Sequence, residues 1–225
     1  MHIKHLQLFT HKLKENERFY RDVLGFSITG SAEDAFTVKI GSSTLTFTAS
    51  AKKYVYHYCF LIPKNKLSEA LVWLGEKLDL IPIAPGKFTQ RFESWNADSC
   101  YFYDGSGNIA EFIVRHDLPY ETEAAFDADQ IISVNEIGMP TRNSTTLVKQ
   151  LKQQMNCPIW KGNSATFCVC GSQKGLFLVP NYTVKKNWFP TELPTKPAPF
   201  TAVVRQEEQY YRVTFCDENL DISKP

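Results

Sequence analysis

Phe19-Tyr20-Arg21-Asp22-Val23-Leu24-Gly25-Phe26 decides how the chain is read. From Glu15 to Leu24 the apolar residues Phe19, Tyr20, Val23 and Leu24 fall on one helical stripe. Gly25 supplies the left-handed stop and Phe26 its hydrophobic contact. Upstream, Ile3 to Phe9 alternates Ile3, His5 and Gln7 against Lys4, Leu6 and Leu8, as a strand does. Downstream, Phe26 to Thr29, Ala35 to Ile40 and Thr44 to Thr48 read as three more strands. The unit is therefore βαβββ.

The order then repeats. Tyr56 to Ile62 reads as a strand, Leu67 to Leu78 as a helix, and Leu80 to Ile83, Cys100 to Tyr103 and Ile109 to Val114 as strands. Arg115 to Asp129 is acidic and without periodicity, and reads as a linker. Beyond it, Ile131 to Met139, Ala165 to Cys170 and Gly175 to Val179 are strand-like. Ser144 to Met155 is helical, with Leu147, Val148, Leu151 and Met155 on one stripe. A proline-rich stretch, 180–199, breaks the pattern before Phe200 to Phe215 supplies further strands. The expected division is a first module over residues 1–52, a second over 53–114, a linker over 115–129, and a third, degenerate module over 130–225.

Composition narrows the function classes. The 225 residues are 43% hydrophobic and 13% aromatic, enough for a sizeable core. Lys and Arg number 25 against 24 Asp and Glu, with no basic cluster interleaved with aromatics, which argues against a nucleic-acid partner. No apolar run approaches the about 18 residues a spanning helix needs, and Met1-His2-Ile3-Lys4 leads directly into a strand, so a cytoplasmic protein without a membrane partner is expected. The six cysteines, Cys59, Cys100, Cys157, Cys168, Cys170 and Cys216, include no Cys-x-x-Cys pair and read as buried thiols.

A second segment, Ser99-Cys100-Tyr101-Phe102-Tyr103-Asp104-Gly105-Ser106-Gly107-Asn108-Ile109-Ala110-Glu111-Phe112, closes the second unit. With the Phe19–Phe26 segment it resembles the opening and closing signatures of the vicinal-oxygen-chelate superfamily, which includes glyoxalases, bleomycin-resistance proteins and extradiol dioxygenases. Gly105-Ser106 stands where that family usually carries Pro-Asp, while Gly107-Asn108 still suits a tight turn. The resemblance implies an α+β fold of tandem βαβββ modules forming a curved, mostly antiparallel, half-open barrel with helices on the convex side.

It also implies a site. In the superfamily two modules close side by side, and metal ligands come from the first and last strand of each. Carried over residue by residue, those positions are His5, Thr46, His57 and Glu111, each opposite the apolar face of its strand. A hydroxyl is a poor ligand, so the expected metal set is His5, His57 and Glu111. One divalent ion would sit there, Fe(II) first, with Mn(II), Zn(II) or Ni(II) also fitting. Gln7, Thr46, Cys59, Ser99, Tyr101 and Tyr103 are candidate substrate contacts. Glu136 falls where His5 does, but Leu176 to Val179 make the third module's closing strand apolar, which points to a structural module; Trp160, Trp188 and Phe189 are candidates to line a pocket.

The resemblance implies a small-molecule metalloenzyme, most like a ring-cleaving dioxygenase. No acid–base histidine occupies Ser94 to Asp98, and His2, His11 and His116 do not replace it, which leaves a glyoxalase-like lyase or isomerase and a fosfomycin-type transferase as alternatives. A non-catalytic module sequestering a small ligand is the alternative from another class. A homodimer is compatible with all of these.

Overall fold

The computed structural model describes residues 1–224. The first unit contains β1 (His2–Thr10), α1 (Leu13–Arg18, continued by a π-helical turn over Phe19–Val23), β2 (Ile28–Ser31), β3 (Ala35–Ile40) and β4 (Ser43–Ala49). The second contains β5 (His57–Leu61), α2 (Leu67–Gly75), β6 (Leu80–Ile81), β7 (Thr89–Phe92), β8 (Ala97–Tyr103) and β9 (Ile109–Arg115). The third runs through β10 (Ser133–Gly138), α3 (Ser144–Met155), β11 (Ile159–Asn163), β12 (Phe167–Ser172) and β13 (Gly175–Pro180). A final meander comprises β14 (Phe200–Gln206), β15 (Gln209–Cys216) and β16 (Asn219–Ser223).

This is an α+β molecule built on two open, mostly antiparallel sheets. One has the order β16-β15-β14-β1-β4-β3-β2, the other β11-β12-β13-β10-β5-β9-β8-β6, with β7 on β8. The expected partnership of the first two units is corrected by this order. The first unit joins the C-terminal meander through antiparallel β1–β14 pairing, and the second joins the third through antiparallel β5–β10 pairing. Residues 1–114 thus belong to two sheets. The strand β10 is buried throughout whereas β1 alternates buried and half-buried positions, and β10 takes the central place beside β5, which is also buried along its whole length.

The two sheets meet through their apolar faces, which share one core: Leu6 and Leu8, Leu45 and Phe47, Tyr58 and Phe60, Val134 and Ile137, Phe177, and Ala202. The helices lie on this apolar side too. The two signature segments meet there as well. At Gly105 a Cβ would lie 2.8 Å from Phe19 Cβ and 2.9 Å from Glu15 O, so the β8–β9 turn rests directly on the first helix. Glycine in place of the family's proline permits that approach.

The region 130–225 divides further than expected. Residues 131–180 already fill a complete βαβββ unit, and β14–β16 form a separate three-stranded piece. The linker also begins later, because Arg115 is the last residue of β9 and fully buried. Five cysteines are buried, but Cys216 is exposed. Among the described residues no helix is long and apolar enough to cross a membrane.

Candidate metal centre

Strand alternation builds the site. In β5 the residues Tyr58 and Phe60 face the core, so His57 and Cys59 face the other way. In β9 Phe112 and Val114 face the core, which turns Glu111, Ile113 and Arg115 to the same side as His57. A register shift between Val134 and Glu136 adds one residue to β10 opposite β5, and this bulge re-aims Asn135 and Glu136. The result is a cluster of His57, Glu111 and Glu136, all buried, whose ligand atoms lie within 4.8 Å of one another. His57 Nε2 is 3.1 Å from Glu111 Oε2.

The registers also place the fourth position. Glu111 pairs with Cys59, two residues beyond His57, and Leu178 pairs with Gly138, two residues beyond Glu136. A leucine therefore stands where a second closing-strand ligand would be, and three candidate ligands remain.

Of the residues expected in the metal set, the structure brings His57 and Glu111 together and leaves His5 apart. His5 lies on the other sheet, where its Nδ1 is 2.8 Å from Thr44 Oγ1. Its pKa is held below the ordinary histidine range by burial and by nearby Arg212. Gln7 and Thr46 stay with it: Gln7 Nε2 donates to Thr48 Oγ1 at 3.0 Å, and Thr46 Oγ1 is 2.7 Å from Thr37 Oγ1. The physical reason is the pairing of units, since β1 sits beside β14 instead of in the sheet that carries His57. Glu136 stands in the place expected for His5, and its signal was legible: a charge in the strand-like run Val134–Met139, matching His5 in its unit.

Arg115 was less legible, because the acidic tail that follows it hides the end of β9. Its Nη2 donates to Glu136 Oε1 and its Nε donates to Asn135 Oδ1 at 3.0 Å. The guanidinium lies beside the rings of Trp95 and Trp160, 5.7 and 5.2 Å from their centroids. Burial pushes the Glu136 carboxyl up, Arg115 opposes this, and Glu111 adds to it. We regard Glu136 as ionised when paired, because a guanidinium hydrogen-bonded to a carboxylate in a dry site favours the charged form.

The cluster opens into a cavity of about 210 Å³ whose walls include Phe92, Trp95, Tyr101, Trp188 and Phe189. Trp188 stacks on the His57 ring with centroids 5.1 Å apart. That stacking needs Gly138, where a Cβ would fall 2.5 Å from Trp188 Cη2. Of the expected substrate contacts, Tyr101 lines the cavity, 6.4 Å from His57 between ring centroids and edge-on to Phe189. Cys59 and Ser99 are fully buried and do not line it, and Tyr103 is exposed. Burial holds the Cys59 thiol and the Tyr101 hydroxyl protonated.

The donor set suits a divalent ion. Two carboxylates and an imidazole converge, only Glu136 among them has a cationic partner in Arg115, His57 Nδ1 is buried without a hydrogen bond, and Leu178 adds an apolar group to the lining.

Comparison with known proteins bears on the scaffold. No family model and no curated protein matches the sequence. Among solved structures, a Bacillus subtilis protein named as a candidate dioxygenase superposes over 99% of this chain and 84% of its own, with a TM-score of 0.63 at 15% identity. A lactoylglutathione lyase from Agrobacterium tumefaciens matches 50% of this chain and 92% of its own, with a TM-score of 0.43 at 18% identity. The fosfomycin resistance protein FosX from Mesorhizobium loti matches 49% and 88%, at 0.36 and 17%. The paired βαβββ units, the open sheets and the near-complete superposition on the first of these structures give this chain the vicinal-oxygen-chelate fold.

Proposed function

We propose that the chain is a mononuclear metalloenzyme acting on a small, planar molecule with two adjacent oxygens, with ring-cleaving dioxygenase chemistry as the leading reading. The observation that carries this is the convergence of His57, Glu111 and Glu136 at the base of an aromatic-walled cavity. A divalent ion held there would supply Lewis acidity to the substrate oxygens. Carboxylate-rich ligation makes Mn(II) as suitable as Fe(II).

The remaining roles belong to side chains. Trp188 and Gly138 fix the His57 ring plane, and Arg115 fixes one oxygen of Glu136 and leaves the other free to ligate. Phe92, Phe189 and Trp188 offer flat apolar walls that select a planar substrate and exclude water. Tyr101, a neutral phenol in the cavity, can donate a hydrogen bond or relay a proton. A lyase or isomerase is the second reading, because among the described residues His57 is the single histidine lining the cavity, and Glu111 or Glu136 would then move the proton.

The test is metal analysis of protein purified without chelator or polyhistidine tag. The expected result is one divalent ion per chain, lost in His57→Ala and in Glu136→Ala and retained in His5→Ala. Loss in His5→Ala with retention in Glu136→Ala would overturn the assignment. Oxygen consumption by the loaded protein with catechols then separates the dioxygenase from the lyase or isomerase.

A further inference from the structure

The proline-rich stretch between β13 and β14 does more than connect them. It carries Lys185, Trp188 and Phe189 to the wall of the cavity. Lys185 is half-buried, and among the described residues it has no carboxylate partner and no side-chain hydrogen bond; its Nζ lies 5.1 Å from the centroid of the Phe167 ring. Lys185 thus lines the cavity without an anion, whereas Arg115 pairs with Glu136 and Arg91 with Asp98. Leaving a cation in partly apolar surroundings is unfavourable, and burial does lower the Lys185 pKa. A ligand anion would relieve that penalty.

The walls restrict what carries the anion. They are aromatic on several sides, and about 210 Å³ is below the roughly 300–1,000 Å³ of sites for drug-sized ligands, so the space suits one ring with short substituents. Glu111 and Glu136 in the wall repel an anion, so the charge is drawn toward Lys185, the cation in the lining. We propose that Lys185 forms an anion-accepting subsite, and that it selects a single-ring aromatic carboxylate over its neutral counterpart. This rests on the cavity being the substrate site, and it makes Lys185 a specificity-determining residue on a loop outside the βαβββ repeats.

Ligand-observed fluorine NMR with 4-fluorobenzoate and the neutral 4-fluorobenzamide tests this on the full chain, both as purified and after chelator treatment. The acid is expected to bind about tenfold more tightly than the amide in both preparations, a difference typical of one partly desolvated charge pair. In Lys185→Met the preference is expected to vanish while amide binding stays unchanged, because methionine keeps the apolar stem packed on Phe167. Lys185→Arg should restore the preference. Equal binding of acid and amide by the unmodified protein would overturn the proposal, as would a preference that survives in Lys185→Met. A preference seen only before chelation and untouched by Lys185→Met would place the carboxylate on the metal, overturning the subsite while supporting the metal centre. If the protein carries no metal, the acid–amide comparison still decides the subsite, so failure of the metal centre and failure of the subsite are distinguishable.

Discussion

Asp104 shows how much one residue of the closing signature organises. Its Oδ1 accepts from the backbone N–H groups of Ser106 and Asn108 at 2.9 and 2.8 Å, and its Oδ2 accepts from Tyr58 Oη at 2.7 Å and Asn108 Nδ2 at 2.8 Å. Tyr58 in turn is hydrogen-bonded to Tyr20, and Asn108 Oδ1 accepts from the Tyr56 N–H. An amide cannot accept at both ends, so Asp104→Asn is expected to lose about 1–3 kcal/mol in urea unfolding. Burial raises the Asp104 pKa despite these donors. A carboxyl whose folded pKa lies above its unfolded value binds its proton more tightly when folded, so its contribution to stability is present at low pH and is lost as pH rises through the folded value. Asp104→Asn should therefore flatten the pH dependence of stability above the ordinary carboxylate range. Arg115 gives a second prediction at this scale. Removing one partner of a buried pair leaves a bare charge, so Arg115→Met should destabilise by about 3–5 kcal/mol, and the double variant Arg115→Met, Glu136→Leu should recover most of it. Urea denaturation of the three proteins decides this. No recovery would mean that Arg115 acts by packing against Trp95 and Trp160 alone. The site was half legible from sequence: His57 and Glu111 stand in strands whose alternation is clean, whereas Arg115 is followed by an acidic tail that disguises it.

Among the elements, the long ones and two short ones, β2 and β6, were readable, and three short ones were not. Strands β7 and β11 and the final β16 escaped the sequence reading because each is four or five residues long and half-exposed, with little apolar periodicity to mark it. The β8–β9 turn was readable as a turn, but its contact with α1 was not. That contact predicts that Gly105→Ala, with its Cβ pressed on Phe19 and on the backbone of Asn16 and Glu15, destabilises by about 1–3 kcal/mol, measurable as a lower denaturation midpoint. The proline-rich loop could be read as an interruption whose Trp188 and Phe189 were candidates to line a pocket, but nothing in its composition says which cavity it covers. Gly138 provides the probe. Gly138→Ala should push Trp188 off His57, and a red-shifted tryptophan emission without loss of fold would report it; unchanged emission would mean that the loop adjusts around the methyl group.

At the scale of the whole molecule, what sequence could not supply is which units pair. Successive βαβββ repeats look alike in pattern, and nothing local distinguishes β1 beside β5 from β1 beside β14. The choice is made by global fit: β10 and β5 are buried along their whole lengths and occupy the centre of one sheet, while the C-terminal meander completes the other. One consequence is testable. A metal at His57, Glu111 and Glu136 ties together three strands from two units, β5, β9 and β10, and touches nothing in the sheet that holds His5. An ion that binds only the folded chain at a hundredfold excess over its Kd adds about 2.7 kcal/mol of stability. For a chain of this length that corresponds to a Tm rise of about 5–10 °C. Chelation should therefore lower the Tm of the wild-type protein and of His5→Ala alike, and leave that of His57→Ala where it already is. A drop confined to wild type and His57→Ala would put the ion on the His5 sheet, and with it the chemistry.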